Sequence, residues 1–445
     1  MESTGQKLTV YKAGQVINAT GAAPIANGAV VVEGRKIKAV CPAADVGNLD
    51  GAETVDLGQG YTLMPGLMDI HLHLSAHNAL TFNNYRIAHA ELPPERQELY
   101  ELLHAQIMFE MGFTTLRAHP WPNMFAGHNS ACVCAVRDAF ATGIFAGPRM
   151  IAGGYATMTG SHLDLISPRS MRREPDATAD GPWELRKLAR KQLRLGVDFI
   201  KTCASGGGGT DAEEPEIRNM TQEELDAVVD EAHCQNKHCS CHCFTPFTQR
   251  MAMQAGVDTI EHCVFTDDDA IEQLVKTGTP IIPTLLHRTD WSIDIRRTMG
   301  TSEFTLSKMK RIQPYTEATF KRFLAAGVTI AMGTDTQLEP YMGSSAKELE
   351  IYVKFGMDPM AAILTSTRNA AKAIWVDKIT GTLVPGKFAD MIAVAGDPLK
   401  DISILSEREK IALVMKEGRV WVDRRPGFPR RGVINDQDWG WKKLY

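Results

Sequence analysis

Short apolar runs that end on a reactive side chain recur along this chain, separated by stretches with helical spacing. The run Leu63-Met64-Pro65-Gly66-Leu67-Met68-Asp69-Ile70-His71-Leu72-His73, broken by a Pro-Gly turn, reads as a buried strand. Gly112 to Leu116 leads to Arg117 and His119, and Pro148 to Gly153 leads to a loop with Tyr155 and His162. Gly196 to Lys201 ends on a lysine, Lys237 to His242 and Gly256 to His262 end on histidines, and Ala326 to Asp335 ends on an aspartate. The intervening segments read as helices. In Thr221 to Lys237, for example, Thr221 and Glu224 match a capping box. Strand then helix, repeated over roughly 300 residues, is the rhythm of an α/β protein built on a (β/α)8 TIM barrel.

The chain ends carry a different pattern. Residues 1–65 hold short alternating β segments with glycine turns, such as Gly28 to Gly34, which read as part of a small β-sandwich. Residues 66–375 form the expected barrel. In residues 376–425, Asp390 to Val394 and a strand from Ile411 to Val422 would complete the sandwich, so that it is built from both chain ends. The tail, residues 426–445, carries Trp439, Trp441 and Tyr445, and is expected to pack on a neighbouring subunit or over the mouth of the site.

Composition narrows the class. The chain has 445 residues, a net charge of −5 and 44% apolar residues, ample for one barrel with a small appended domain. It has no basic patch interleaved with aromatics, which argues against nucleic acid. The amino terminus lacks an apolar signal core and no run is long enough to span a bilayer, so no membrane partner and a cytoplasmic location are expected. Nine cysteines, an odd number, suit a reducing compartment. Cys239, Cys241 and Cys243 share one strand face while His242 lies on the other with Ser240, and this alternation speaks for structural thiols over a thiolate metal site.

The chemistry starts at His71 and His73. Residues two apart on a strand point to one face, so both imidazoles can reach one metal ion. Candidate ligands then recur at strand ends, where (β/α)8 enzymes carry their catalytic groups. With His71, His73, Lys201, His242, His262 and Asp335 in this order, the chain resembles the amidohydrolase superfamily over nearly its whole length. The likeness extends to Thr367 to Ala371 and Gly381 to Asp390.

Lys201 followed by Thr202-Cys203-Ala204-Ser205-Gly206-Gly207 resembles the branch with a carboxylated lysine. That branch includes prolidase-like and imidazolonepropionase-like amidohydrolases and hydrolases of amide, carbamate or urea xenobiotics. The resemblance implies two divalent metal ions, with zinc, cobalt, manganese or nickel suited to the ligands. His71, His73 and Asp335 would hold one ion, His242 and His262 the other, and carboxylated Lys201 would bridge them. It implies hydrolysis of a C–N bond by metal-activated hydroxide, with Asp335 as the proton-transfer group. Superfamily relatives are commonly homo-oligomers, and a homo-oligomer is expected here.

For the substrate side, the resemblance implies contact by His162, with Tyr155 its neighbour in the same loop. Arg117 is a candidate pocket residue, although pairing with a barrel carboxylate fits it equally. His77 and His128 read as loop histidines. Prolidase-like dipeptidases carry a tyrosine two residues after the fifth-strand histidine, where this chain has Phe244. The missing hydroxyl favours a small, largely apolar, neutral substrate. The alternative is a dipeptide or N-acyl amino acid, including amide-linked toxins, with the carboxylate held by Arg117, Arg288 or a lysine. A barrel kept as a non-catalytic scaffold is disfavoured by the complete ligand set. The loop Gly206 to Asn219 is expected to border the pocket.

Overall fold

The computed structural model describes residues 7–75, 93–120, 128–166, 178–209, 211–337 and 342–434. His77, Trp439, Trp441, Tyr445 and the side chain of His128 lie outside the described residues.

The first part of the chain supplies β1 (Leu8–Val16), β2 (Ile25–Glu33), β3 (Lys36–Pro42), β4 (Glu53–Asp56) and β5 (Tyr61–Pro65). The barrel strands follow as β6 (Leu67–Leu72), β7 (Phe113–Ala118), β8 (Arg149–Tyr155), β9 (Phe199–Cys203), β10 (His238–Cys243), β11 (Thr259–His262) and β12 (Ile281–Ile282). These seven pair in parallel in sequence order. Helices between them, including Pro94–Glu110, Pro182–Arg194 and Gln222–Cys234, cover the outside. The Thr221–Glu224 capping box is present in both directions.

The expected strand from Ala326 to Asp335 forms no continuous ladder. It touches the barrel at both ends through single parallel bridges, Ile281 with Ile330 and Leu72 with Thr336. Backbone bonds from Ile70 N to Met332 O (3.1 Å), Asp335 N to His71 O (2.7 Å) and His73 N to Thr336 O (2.7 Å) nearly close the ring. The irregularity has a cause. Asp335 adopts a left-handed backbone (φ 57°), and a Cβ on Gly333 would fall 2.7 Å from His71 Cβ. Only glycine lets this segment approach the histidine strand so closely.

The two chain ends meet as one mixed sheet in the order β15–β14–β13–β5–β1–β2–β3, with β4 beside β1. Its later strands are β13 (Met391–Ala395), β14 (Ile411–Lys416) and β15 (Arg419–Asp423). Alternate residues, among them Val30, Val32, Leu63, Met391, Leu413 and Met415, gather in one apolar cluster. Residues of opposite parity such as Met64, Ile392 and Val414 join the barrel core instead. The expected single strand from Ile411 to Val422 is a hairpin. Glu417 and Gly418 both have positive φ (52° and 75°), which is the two-residue turn that reverses a strand.

Candidate metal centre

The expected ligands sit near or just past the C-terminal ends of their barrel strands, with Lys201 midway along its short strand, because strand alternation aims them inward and the strand's end frees them from the packed layers below. His71 lies on β6 with His73 just beyond it, Lys201 on β9, His242 on β10, His262 at the end of β11 and Asp335 in the closing segment. All six border one cavity. His71 Nε2 and His73 Nε2 lie 3.7 and 3.3 Å from Asp335 Oδ1, and these three residues are spaced to hold one ion. The His262 ring is 5.0 Å from that of His71 and 4.5 Å from that of His242, between centroids.

Each histidine is oriented through one nitrogen. Nδ1 of His71 meets Glu261 Oε2 at 2.5 Å, Nδ1 of His73 meets Pro120 O at 3.3 Å, and Nδ1 of His262 meets Thr284 Oγ1 at 2.8 Å. His242 is held the other way round, with Nε2 on Gly206 O at 2.9 Å. For His71 and His73 this leaves Nε2 facing Asp335, the arrangement in which a partner on one ring nitrogen orients the other for a metal. Burial lowers the pKa of His71 to about 4, with Lys201 adding to the effect. It lowers His242 and His262 well below the usual value too. Burial thus favours the neutral form of His71, His242 and His262, the form in which imidazole ligates a metal. Burial alone would raise the Asp335 carboxyl, but His287, His73 and His71 outweigh it and hold the group well below the usual range.

Lys201 is 3% exposed, and its Nζ has no hydrogen-bond partner among the described residues. An unpaired ammonium among imidazoles is costly to bury. The same atom carrying a carboxylate would be an anionic ligand, so the donor set fits a pair of divalent ions bridged at this lysine.

His162 borders the cavity from a helical turn after β8. Its Nδ1 meets both oxygens of Glu213 at 2.8 and 2.9 Å, and its ring stacks on His242 at 4.4 Å. Glu213 belongs to the loop after β9, so that loop does border the site. Phe244 also stacks on His242, at 4.7 Å between centroids, and forms part of the cavity wall.

Two expected pocket residues lie elsewhere. Arg117 is fully enclosed behind the site, donating to Glu261 Oε1 (2.7 Å), Thr259 Oγ1 (3.0 Å) and Ile70 O (2.5 Å). Its long side chain runs through the barrel interior rather than up to the cavity. Tyr155 is not on the cavity wall, and its hydroxyl is enclosed with no partner among the described residues. The three strand cysteines are buried in the apolar core, away from the cavity, as alternation requires.

Sequence reasoning passed over Glu261, Glu213 and His287. Glu261 and His262 are consecutive and should face opposite ways, but the left-handed backbone at His262 (φ 73°) lets both reach His71. Glu261 directly after Ile260 and Arg117 directly after Leu116, each charged at the end of a β-prone run, were the available signal, since buried charges need partners. His287 lies beside the centre, with Nε2 3.8 Å from Asp335 Oδ2. It follows a two-residue strand too short to recognise as one.

The chain matches the model of the amidohydrolase family over residues 62–421. It is 28% identical over 449 aligned positions to ochratoxinase from Aspergillus niger, covering 95% of this chain and 88% of that protein. The crystal structure of A. niger ochratoxinase superposes with a TM-score of 0.81, at 28% identity over 96% of this chain and 98% of that one. A Xaa-Pro dipeptidase crystallised with methionine in its active site gives a TM-score of 0.84 at 29% identity, covering 93% of this chain and all of that one (100%). Phenylurea hydrolase B shares the fold, with a TM-score of 0.73 at 21% identity over 95% and 99% of the two chains.

Proposed function

The chain belongs to the amidohydrolase family, and from that premise we propose that it hydrolyses carbon–nitrogen bonds in amide-type substrates with two divalent metal ions. The observation that carries this reading is the enclosed, partnerless Nζ of Lys201 beside His71, His242 and His262 on one cavity. His71, His73 and Asp335 would hold one ion, His242 and His262 the other, and a carboxylated Lys201 would bridge them. When bound, the ions supply Lewis acidity that activates water near neutral pH and polarises the scissile carbonyl. Zinc suits these ligands, as do cobalt, manganese and nickel.

The chain's own residues do the rest. Asp335, kept ionised, accepts a proton from the attacking water and returns it to the leaving nitrogen, which departs poorly as an anion. Glu213 fixes the ring of His162 through Nδ1 and turns its Nε2 edge to the substrate carbonyl. Phe244, Met309 and Ile312 give the substrate apolar walls. Two substrate classes fit these walls. One is a neutral amide, carbamate or urea, favoured by the absence of a hydroxyl at Phe244. The other is a dipeptide or N-acyl amino acid, favoured by the buried Arg288 on the same cavity. The relatives named ochratoxinase and Xaa-Pro dipeptidase support amide-type chemistry in either case. No helix among the described residues is long and apolar enough to cross a membrane. A small-molecule substrate, no nucleic-acid or membrane partner, a homo-oligomeric state and a cytoplasmic location complete the proposal.

The test is turnover of N-aryl amides and N-acyl amino acids by zinc-loaded protein, before and after chelation. Hydrolysis that chelation abolishes and added metal restores is the expected result. Activity indifferent to the chelator, with metal shown to be removed, would overturn the proposal.

A further inference from the structure

Arg288 is 3% exposed and borders the same cavity as the proposed metal ligands. One nitrogen of its guanidinium is fully used. Nη1 donates to Pro283 O at 2.9 Å, to Thr284 O at 3.0 Å and to Thr284 Oγ1 at 3.3 Å. The other two, Nε and Nη2, have no hydrogen-bond partner among the described residues. These two donate side by side from one edge of the planar group, the edge that pairs with both oxygens of a carboxylate. Two other buried arginines are paired with carboxylates, Arg117 with Glu261 and Arg424 with Glu110, and Arg296 turns Nη2 to the His287 ring. No carboxylate of the described residues forms an ion pair with Arg288.

The edge is held in place. Glu348 accepts from the backbone N–H groups of Leu285 (2.7 Å) and Leu286 (2.6 Å), fixing the turn that carries Arg288. The Phe244 ring lies under the guanidinium, 5.2 Å from Cζ to centroid. Phe244 thus serves as a floor for a cation. A fixed, desolvated cation with its paired donors unspent is organised for an anionic ligand, since leaving it unpaired carries a large desolvation cost.

Its location selects which part of the substrate is anionic. His287, the preceding residue, has Nε2 3.8 Å from Asp335 Oδ2. Asp335 returns a proton to the leaving nitrogen in the reading above, so the leaving amine lies on the Arg288 side of the cavity. We propose that Arg288 is the specificity-determining residue of this site, and that its Nε–Nη2 edge binds the carboxylate of an amino acid released as the leaving amine. The substrate class is then an N-acyl amino acid or dipeptide with a free carboxyl terminus, its apolar portion against Phe244, Met309 and Ile312. This rests on the hydrolase reading and extends it to one end of the substrate.

The experiment compares wild type and Arg288→Met, both zinc-loaded, on N-benzoyl-phenylalanine and its neutral carboxamide. Wild type should prefer the acid, and R288M should lose about 10- to 100-fold in kcat/KM on the acid with little change on the carboxamide. Calorimetric titration with 3-phenylpropanoate and 3-phenylpropan-1-ol reads the same contact without catalysis. Binding of the acid should weaken by a similar factor in R288M and binding of the alcohol should not. If R288M lowers both members of each pair alike, or neither, the assignment is overturned. If wild type hydrolyses neither benzoyl compound, the hydrolase reading fails for this class while the titration still decides the arginine. Should R288M not fold, Arg288→Lys replaces it, keeping the charge without the fork. A several-fold fall in the acid-to-neutral ratio is then expected, and an unchanged ratio would overturn the proposal.

Discussion

Beneath the candidate ligands, a chain of buried charges runs from Arg117 through Glu261 to His71. Arg117 Nη2 and Thr259 Oγ1 both donate to Glu261 Oε1, and Glu261 Oε2 holds His71 Nδ1. Burial pushes the Glu261 carboxyl up, but Arg117, His71 and Lys201 more than offset it and keep it well below the usual range. A carboxylate behind a ligating imidazole raises its basicity and fixes its ring. Glu261→Gln should therefore lower zinc affinity by about 10- to 100-fold with the fold intact, read by competition with a chromogenic chelator. Arg117→Met should be worse for stability, by about 3–5 kcal/mol in denaturant unfolding, because it strands Glu261 without its cation. Unchanged zinc affinity in E261Q would remove Glu261 from the centre. At this scale the gathering of the six ligand candidates, His162 and Phe244 on one cavity was legible, since strand alternation gives the face and strand end gives the height. For Arg117 the sequence leaves pocket lining and pairing with a barrel carboxylate equally open, and the structure shows the pairing with Glu261, because alternation does not tell how far up the barrel a long side chain reaches; Tyr155 lies off the cavity wall for the same reason. Glu261 was missed because His262 breaks the alternation.

Among the elements, periodicity located the parallel strands and the helix from Gln222 to Cys234, and failed where geometry is irregular. The closing segment has the pattern of a strand, but Gly333 and the left-handed Asp335 trade ladder pairing for contact with His71. The apolar run from Ile411 to Val422 hid a hairpin because its turn, Glu417-Gly418, holds only two residues. Two substitutions separate elements that bear on the site from those that do not. Thr221→Ala removes the cap of a helix that contributes no residue to the cavity wall and should cost about 1 kcal/mol in unfolding with kcat/KM unchanged. Gly333→Ala places a methyl group against His71 and Ile282, whose side chains are packed. It should lower both stability and zinc affinity, measured by thermal unfolding and chelator competition.

For the whole molecule, the candidate ligands come from four barrel strands and the closing segment, so binding ions ties distant parts of the chain together. Anything that binds only the folded state raises stability, and zinc-loaded protein should melt well above the chelated form. The same burial sets the acid limit of the metal-free fold. His71 has its pKa lowered from 6.5 to about 4. Its contribution is complete above pH 6.5 and is lost as the pH falls towards about 4, because the unfolded chain takes up the proton first. That amounts to roughly 3 kcal/mol for one histidine, and His119, His242, His262 and His287, all lowered by burial, act with the same sign. Chelated protein should therefore unfold at much lower denaturant at pH 5 than at pH 7. The barrel and the meeting of the two chain ends were legible in the order of the motifs. That the ends join in one continuous sheet was not, because strand pairing between residues more than 300 positions apart leaves no local pattern.

Counting the ions tests the central claim most directly. Protein dialysed against zinc and analysed for bound metal should retain two ions per chain, and Lys201→Ala should fail to retain the pair. Wild type with no tightly bound ion, or K201A that keeps both, would contradict the assignment of these six residues to a binuclear centre.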